Sequence, residues 1–91
     1  MKLEQLLVQL KNIKRTARFS TNRDDARKAY HLLKQNVELA FEQNIYEEKL
    51  YHIKHSILVE DNEIAYYYFT KALAAIISII EGSLKHENVN G

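Results

Sequence analysis

A chain of 91 residues with 13 Lys/Arg, 12 Asp/Glu and a formal net charge of +1 is the length of one domain, with a core modest enough that a second source of burial would help it. It has no Cys, which removes disulfides, thiol nucleophiles and thiolate metal sites together and fits a reducing cytoplasm. It has no Pro, and Gly only at positions 82 and 91, so helix breakers are few and a phosphate-cradling glycine loop is excluded.

The opening Met1-Lys2-Leu3-Glu4-Gln5 lacks the basic start and apolar run of a secretory leader, which supports the same cytoplasmic expectation. Helix one is predicted over residues 3–18, where Leu3, Leu6, Leu10, Ile13 and Ala17 recur at steps of three and four on one face. Phe19-Ser20-Thr21-Asn22 interrupts it. Thr21 with Asp24, or Asn22 with Asp25, then offers a side-chain cap and acids at the positive end of a helix dipole. Helix two follows over residues 23–43 on Ala26, Tyr30, Leu33, Val37 and Ala40. Asn44 with Glu47 reads as the capping pair of helix three, over residues 46–58, carried by Tyr46, Leu50, Ile53 and Ile57. Glu60-Asp61-Asn62 is the last break, and helix four spans residues 63–84. Residues 1–84 form the expected domain, with 85–91 a polar, frayed tail.

Short loops between such helices predict an all-α, antiparallel up-down-up-down four-helix bundle. The rival is a three-helix arrangement with helices three and four continuous. Helix four carries two apolar stripes about 100° apart. Ala65, Tyr68, Ala72, Ala75 and Ile79 make the one expected to face helices one to three. Tyr66, Phe69, Leu73, Ile76 and Ile80 make the outer one, expected to pack on a second copy of the chain, with a central helix buried in a monomeric core as the alternative. Lys71 interrupts helix four at a place a bilayer would penalise, so a membrane span is not expected.

Charge is divided along the chain. Residues 1–36 hold nine Lys/Arg against three acids, a balance of +6, and residues 37–91 hold four Lys against nine acids, −5. Lys11, Lys14, Arg15 and Arg18 share a face of helix one, with Arg23 and Arg27 just across the turn. That cluster suits an acidic protein or a phosphate backbone. The preference of helix dipoles for bases at C-termini and acids at N-termini, with charge pairing across the bundle, accounts for it without a partner. Helix two is long for a helix-turn-helix recognition helix.

Chemistry is sparse. Glu48, His52 and His55, at i, i+4 and i+7, form the one weak metal candidate, and would need further ligands such as His31, Glu38 or Glu42. Arg27 and His31 stand closer together than the arginine–histidine pair of the HEPN-type helical ribonucleases, so that resemblance fails at its defining spacing. No cofactor, small-molecule substrate or enzymatic activity is expected. In size and general build the chain resembles bacteriocin immunity proteins, and a bacterial or phage origin fits its richness in Lys, Asn, Ile and Tyr. The resemblance is one of architecture and implies a small regulator, inhibitor or adaptor that binds a protein partner. The alternative is a nucleic-acid-binding regulator using the same basic cluster.

Overall fold

The structure, a computed structural model, describes residues 3–36 and 43–90, with side chains described at 3–36 and 47–85. Four α-helices make up the fold among these residues, with no strand: α1 Leu3–Thr16, α2 Asn22–Gln35, α3 Gln43–Leu58 and α4 Asn62–Asn90. They pack as a bundle around α4, which touches each of the other three. Helices three and four are separate, so the continuous three-helix arrangement does not form.

In α1 the leucine stripe behaves as its spacing predicts. Leu6 and Leu10 are fully buried, and Leu3, Ile13 and Ala17 pack against the core. The helix closes two residues before the expected Arg18. The Thr16 hydroxyl donates back to the Asn12 carbonyl at 3.0 Å, a local bond that competes with helix propagation. A turn then closes through the Thr21 amide on the Arg18 carbonyl, 3.0 Å.

Thr21 stands at the start of α2 but does not cap it by side chain as expected. Its hydroxyl is engaged elsewhere, donating to the Asp25 carboxylate at 2.9 Å and accepting the Arg18 amide at 3.3 Å. Asp24 and Asp25 still place negative charge on the first turn, where the dipole favours it. Ala26, Ala29 and Leu33 supply the buried face. The helix ends at Gln35, well before the expected residue 43, and Asn36 accounts for the stop. Its side-chain amide takes the Leu32 carbonyl at 2.7 Å, the acceptor its own backbone amide would use in a continuing helix. That backbone amide goes to Leu33 instead, at 3.2 Å. The expected core positions Val37 and Ala40 lie outside the described residues.

α3 begins at Gln43, so Asn44 sits inside the helix and is not the cap the sequence suggested. Ile53 is fully buried, and Leu50 and Ile57 pack around it. The buried Ser56 hydroxyl is satisfied within its own helix, donating to the Ile53 carbonyl at 2.6 Å. Asp61 then caps α4: one carboxylate oxygen accepts the amides of Glu63 at 2.9 Å and Ile64 at 3.1 Å, satisfying two of the free donors at a helix start. Beyond Leu84 no proline intervenes, and α4 continues to Asn90 rather than stopping at 84. Its 29 residues correspond to about 43 Å of helix, close to the 45 Å long dimension of the molecule.

The rotation of α4 differs from expectation. Ala65, Phe69, Ala72, Leu73, Ile76, Ile77 and Ile80 are buried, whereas Tyr68 is 42 % exposed. The stripe assigned to self-association therefore supplies the monomer's own core through Phe69, Leu73, Ile76 and Ile80, with Tyr66 half-buried at its margin. The reason is volume. Burying a Phe, Leu or Ile side chain contributes about 1.5–3 kcal/mol, more than the alanines of the other stripe can return, and a tyrosine hydroxyl resists a dry interior.

Candidate interaction surfaces

Two surfaces carry exposed functional side chains, one basic and one aromatic. Lys11, Lys14, Arg15 and Arg18 are all exposed on α1 and the turn that follows it, and Arg27 is exposed on α2. Lys11 pairs with Glu81 of α4 at 3.3 Å, joining the basic and acidic halves of the chain. Arg15 donates to the Asn12 side chain at 3.0 Å, and Arg27 pairs with Asp24 at 3.1 Å, one turn back on its own helix. Lys14 and Arg18 have no ion-pair partner among the described residues. Of these five side chains, only Lys11 pairs across the two halves among the described residues.

Arg23 does not belong to this face, contrary to the sequence reading. Its guanidinium is spent on the fold, donating to the Ile57 carbonyl at 2.8 Å, the Glu60 carbonyl at 2.9 Å and the Asn62 side chain at 3.2 Å. It thereby ties the start of α2 to the carbonyls at the end of α3, which have no intrahelical donor. Five N–H donors diverging in one planar group suit Arg to such a fan of acceptors. The same contacts set the α1–α2 turn beside the α3–α4 turn, where Phe19 rests against Tyr66 with ring centroids 5.9 Å apart. Phe19 is itself 48 % exposed, an apolar ring next to the arginines.

The second surface runs across α3 and α4. Tyr51 stacks on His55 at 6.2 Å, His55 meets the edge of Tyr68 at 6.0 Å, and Tyr68 meets Tyr67 at 5.9 Å. Lys71 extends the series, its Nζ lying 5.4 Å from the Tyr67 ring centre. Leu58 and Ile64 flank it, both with substantial exposure. Between the helices a groove of about 180 Å³ is lined by Lys49, His52, Tyr68, Lys71, Ala72 and Ala75. The sequence did not reveal this series, because Tyr68 was assigned to the inward-facing stripe of helix four. A step of four from Tyr51 to His55 was the available signal.

This arrangement also reassigns the proposed metal ligands. Glu48 and His52 lie 3.9 Å apart, while His55 is held between two tyrosines. No group of three His, Cys, Asp or Glu among the described residues is placed to hold a metal ion. Glu38 and Glu42 lie outside them. His31 projects from α2, its ring edge-on to Tyr30 at 5.8 Å.

Residues Asn62–Lys85, with mean hydropathy 1.3, are long and apolar enough to cross a membrane by length and composition. In the bundle the same segment is the core helix, its largest apolar side chains packed against α1, α2 and α3. The chain matches no protein-family model, no curated protein and no solved structure.

Proposed function

We propose that the protein is a small non-enzymatic interaction module of the cytoplasm that works as a homodimer and binds an acidic protein partner through Lys14, Arg15, Arg18 and Arg27. The observation that carries this reading is the exposure of Lys14 and Arg18 without a counter-charge among the described residues. Such charges draw a complementary surface at long range and fix its register. Lys11 sits at the rim, where its exposed pair with Glu81 leaves it able to exchange partners.

The reading is tested by comparing proteins retained from a lysate of the native host by the wild-type chain and by a Lys14→Gln, Arg15→Gln, Arg18→Gln variant. One acidic partner retained by the wild type and lost by the folded variant supports it. Identical retention by both overturns the assignment of these residues.

Exposed Phe19 beside the arginines supports a second reading, nucleic-acid binding with a base stacked on the ring. Anisotropy of labelled single-stranded RNA and duplex DNA at low and near-physiological salt separates the two. Affinity that falls steeply with salt and weakens in the same triple variant would favour nucleic acid. The acids Glu60, Asp61 and Glu63 at the neighbouring turn oppose a long polyanion and favour a compact protein surface.

A further inference from the structure

We infer that a second copy of the chain docks antiparallel across the exposed face of α4, with Glu63 of each copy against Lys71 of the other and Tyr67 at the two-fold axis. This rests on the homodimer reading and gives it a surface different from the one the sequence suggested.

Glu63, Tyr67 and Lys71 follow one another at steps of four along α4, so they lie on one stripe of the helix. All three are exposed. Glu63 and Lys71 have no ion-pair partner among the described residues, and the Lys71 ammonium donates to the Tyr67 hydroxyl at 3.4 Å, 5.4 Å from the ring centre. With about 1.5 Å of rise per residue, the acid and the base stand roughly 12 Å apart with the tyrosine midway. A two-fold axis through Tyr67, perpendicular to the helix, carries Glu63 onto the position of Lys71. One surface thus meets itself with opposite charges at both ends, the isologous arrangement that closed dimers use.

The material between and beside the charges is suited to burial. Ile64 is 47 % exposed, Tyr67 57 % and Tyr68 42 %, and the ring series continues through His55 to Tyr51 on α3. Tyrosines with partly buried apolar neighbours are the usual anchors of protein interfaces. A standard interface removes about 800 Å² from each partner, roughly an eighth of the 6129 Å² surface of this chain.

Sedimentation equilibrium of the full chain tests the inference, with circular dichroism to show that each variant is folded. The wild type should be a dimer. Lys71→Glu and Glu63→Lys should each raise the dimer dissociation constant by about tenfold or more, because each replaces two attractive contacts by two repulsive ones. The double variant, with the charges exchanged, should return to within about threefold of wild type. A dimer indifferent to both single changes, or a double variant no tighter than either single one, overturns this surface and leaves the homodimer reading standing. A wild-type chain that stays monomeric at high concentration overturns both. If that monomer also floats with phosphatidylcholine vesicles, the face belongs to a lipid surface.

Discussion

Replacing Arg23 by Met removes a side chain that joins the start of α2 to the α3–α4 turn by three hydrogen bonds. The acceptors are the Ile57 carbonyl at 2.8 Å, the Glu60 carbonyl at 2.9 Å and the Asn62 side chain at 3.2 Å. The first is part-buried, so its loss strands a carbonyl that water reaches poorly. A charge-assisted bond of that kind contributes about 1.5 kcal/mol, whereas the two exposed bonds together add about 1 kcal/mol after solvent competition. Met keeps the apolar stem and its packing, so the expected destabilisation is about 2–2.5 kcal/mol. For a domain of this size that corresponds to a fall in Tm of roughly 10–15 °C. Urea unfolding followed by circular dichroism measures the difference directly. Arg23→Lys should recover less than half of the loss, since a single ammonium cannot reach three divergent acceptors in the same geometry. A Met variant within about 0.5 kcal/mol of wild type would refute the clamp and return Arg23 to the partner-binding face.

Substitutions at three further positions probe the core and the helix ends. Leu73→Ala should cost about 2–5 kcal/mol in the same urea assay, because Leu73 is fully buried in the monomer, and Leu73→Glu should unfold the chain rather than yield a folded monomer. Asp61→Ala should cost about 1 kcal/mol in thermal melts through loss of the two amide bonds that open α4. Gly82→Ala should raise stability by about 0.5–1 kcal/mol, since Gly82 is interior to α4 and an added Cβ would meet nothing within 4 Å; an unchanged or lowered midpoint would mean that the last turns of α4 do not hold as helix in the free chain.

The four helices were legible in the sequence because their apolar residues repeat at the helical period and their breaks are polar. Leu6, Leu10, Leu33 and Ile53 were assigned to the core by spacing alone and are buried there. Helix ends were less legible. At Thr16, Thr21 and Asn36 the side chain decides between a backbone carbonyl and a neighbouring side chain, and composition does not reveal which bond forms. Arg23 escaped for a related reason: its acceptors are backbone carbonyls 34 and 37 residues away, which no local pattern encodes.

Helix α4 shows what periodicity leaves undecided. Two stripes one residue apart both satisfy a helical repeat, so spacing alone fixes the helix without fixing its rotation. The decision falls to side-chain volume and to the hydroxyl of tyrosine. Turning Phe69, Leu73, Ile76 and Ile80 inward buries the larger apolar set and leaves Tyr67 and Tyr68 at the surface, where their hydroxyls reach water. The same rotation moves Lys71 out with them, beside the exposed ring and hydroxyl of Tyr67. A surface holding an acid, two tyrosines and a lysine in that order along one helix is a consequence of how the core was filled. It is also why self-association, if the charge exchange restores it, must use Glu63, Tyr67 and Lys71 rather than the stripe that the apolar pattern first suggested.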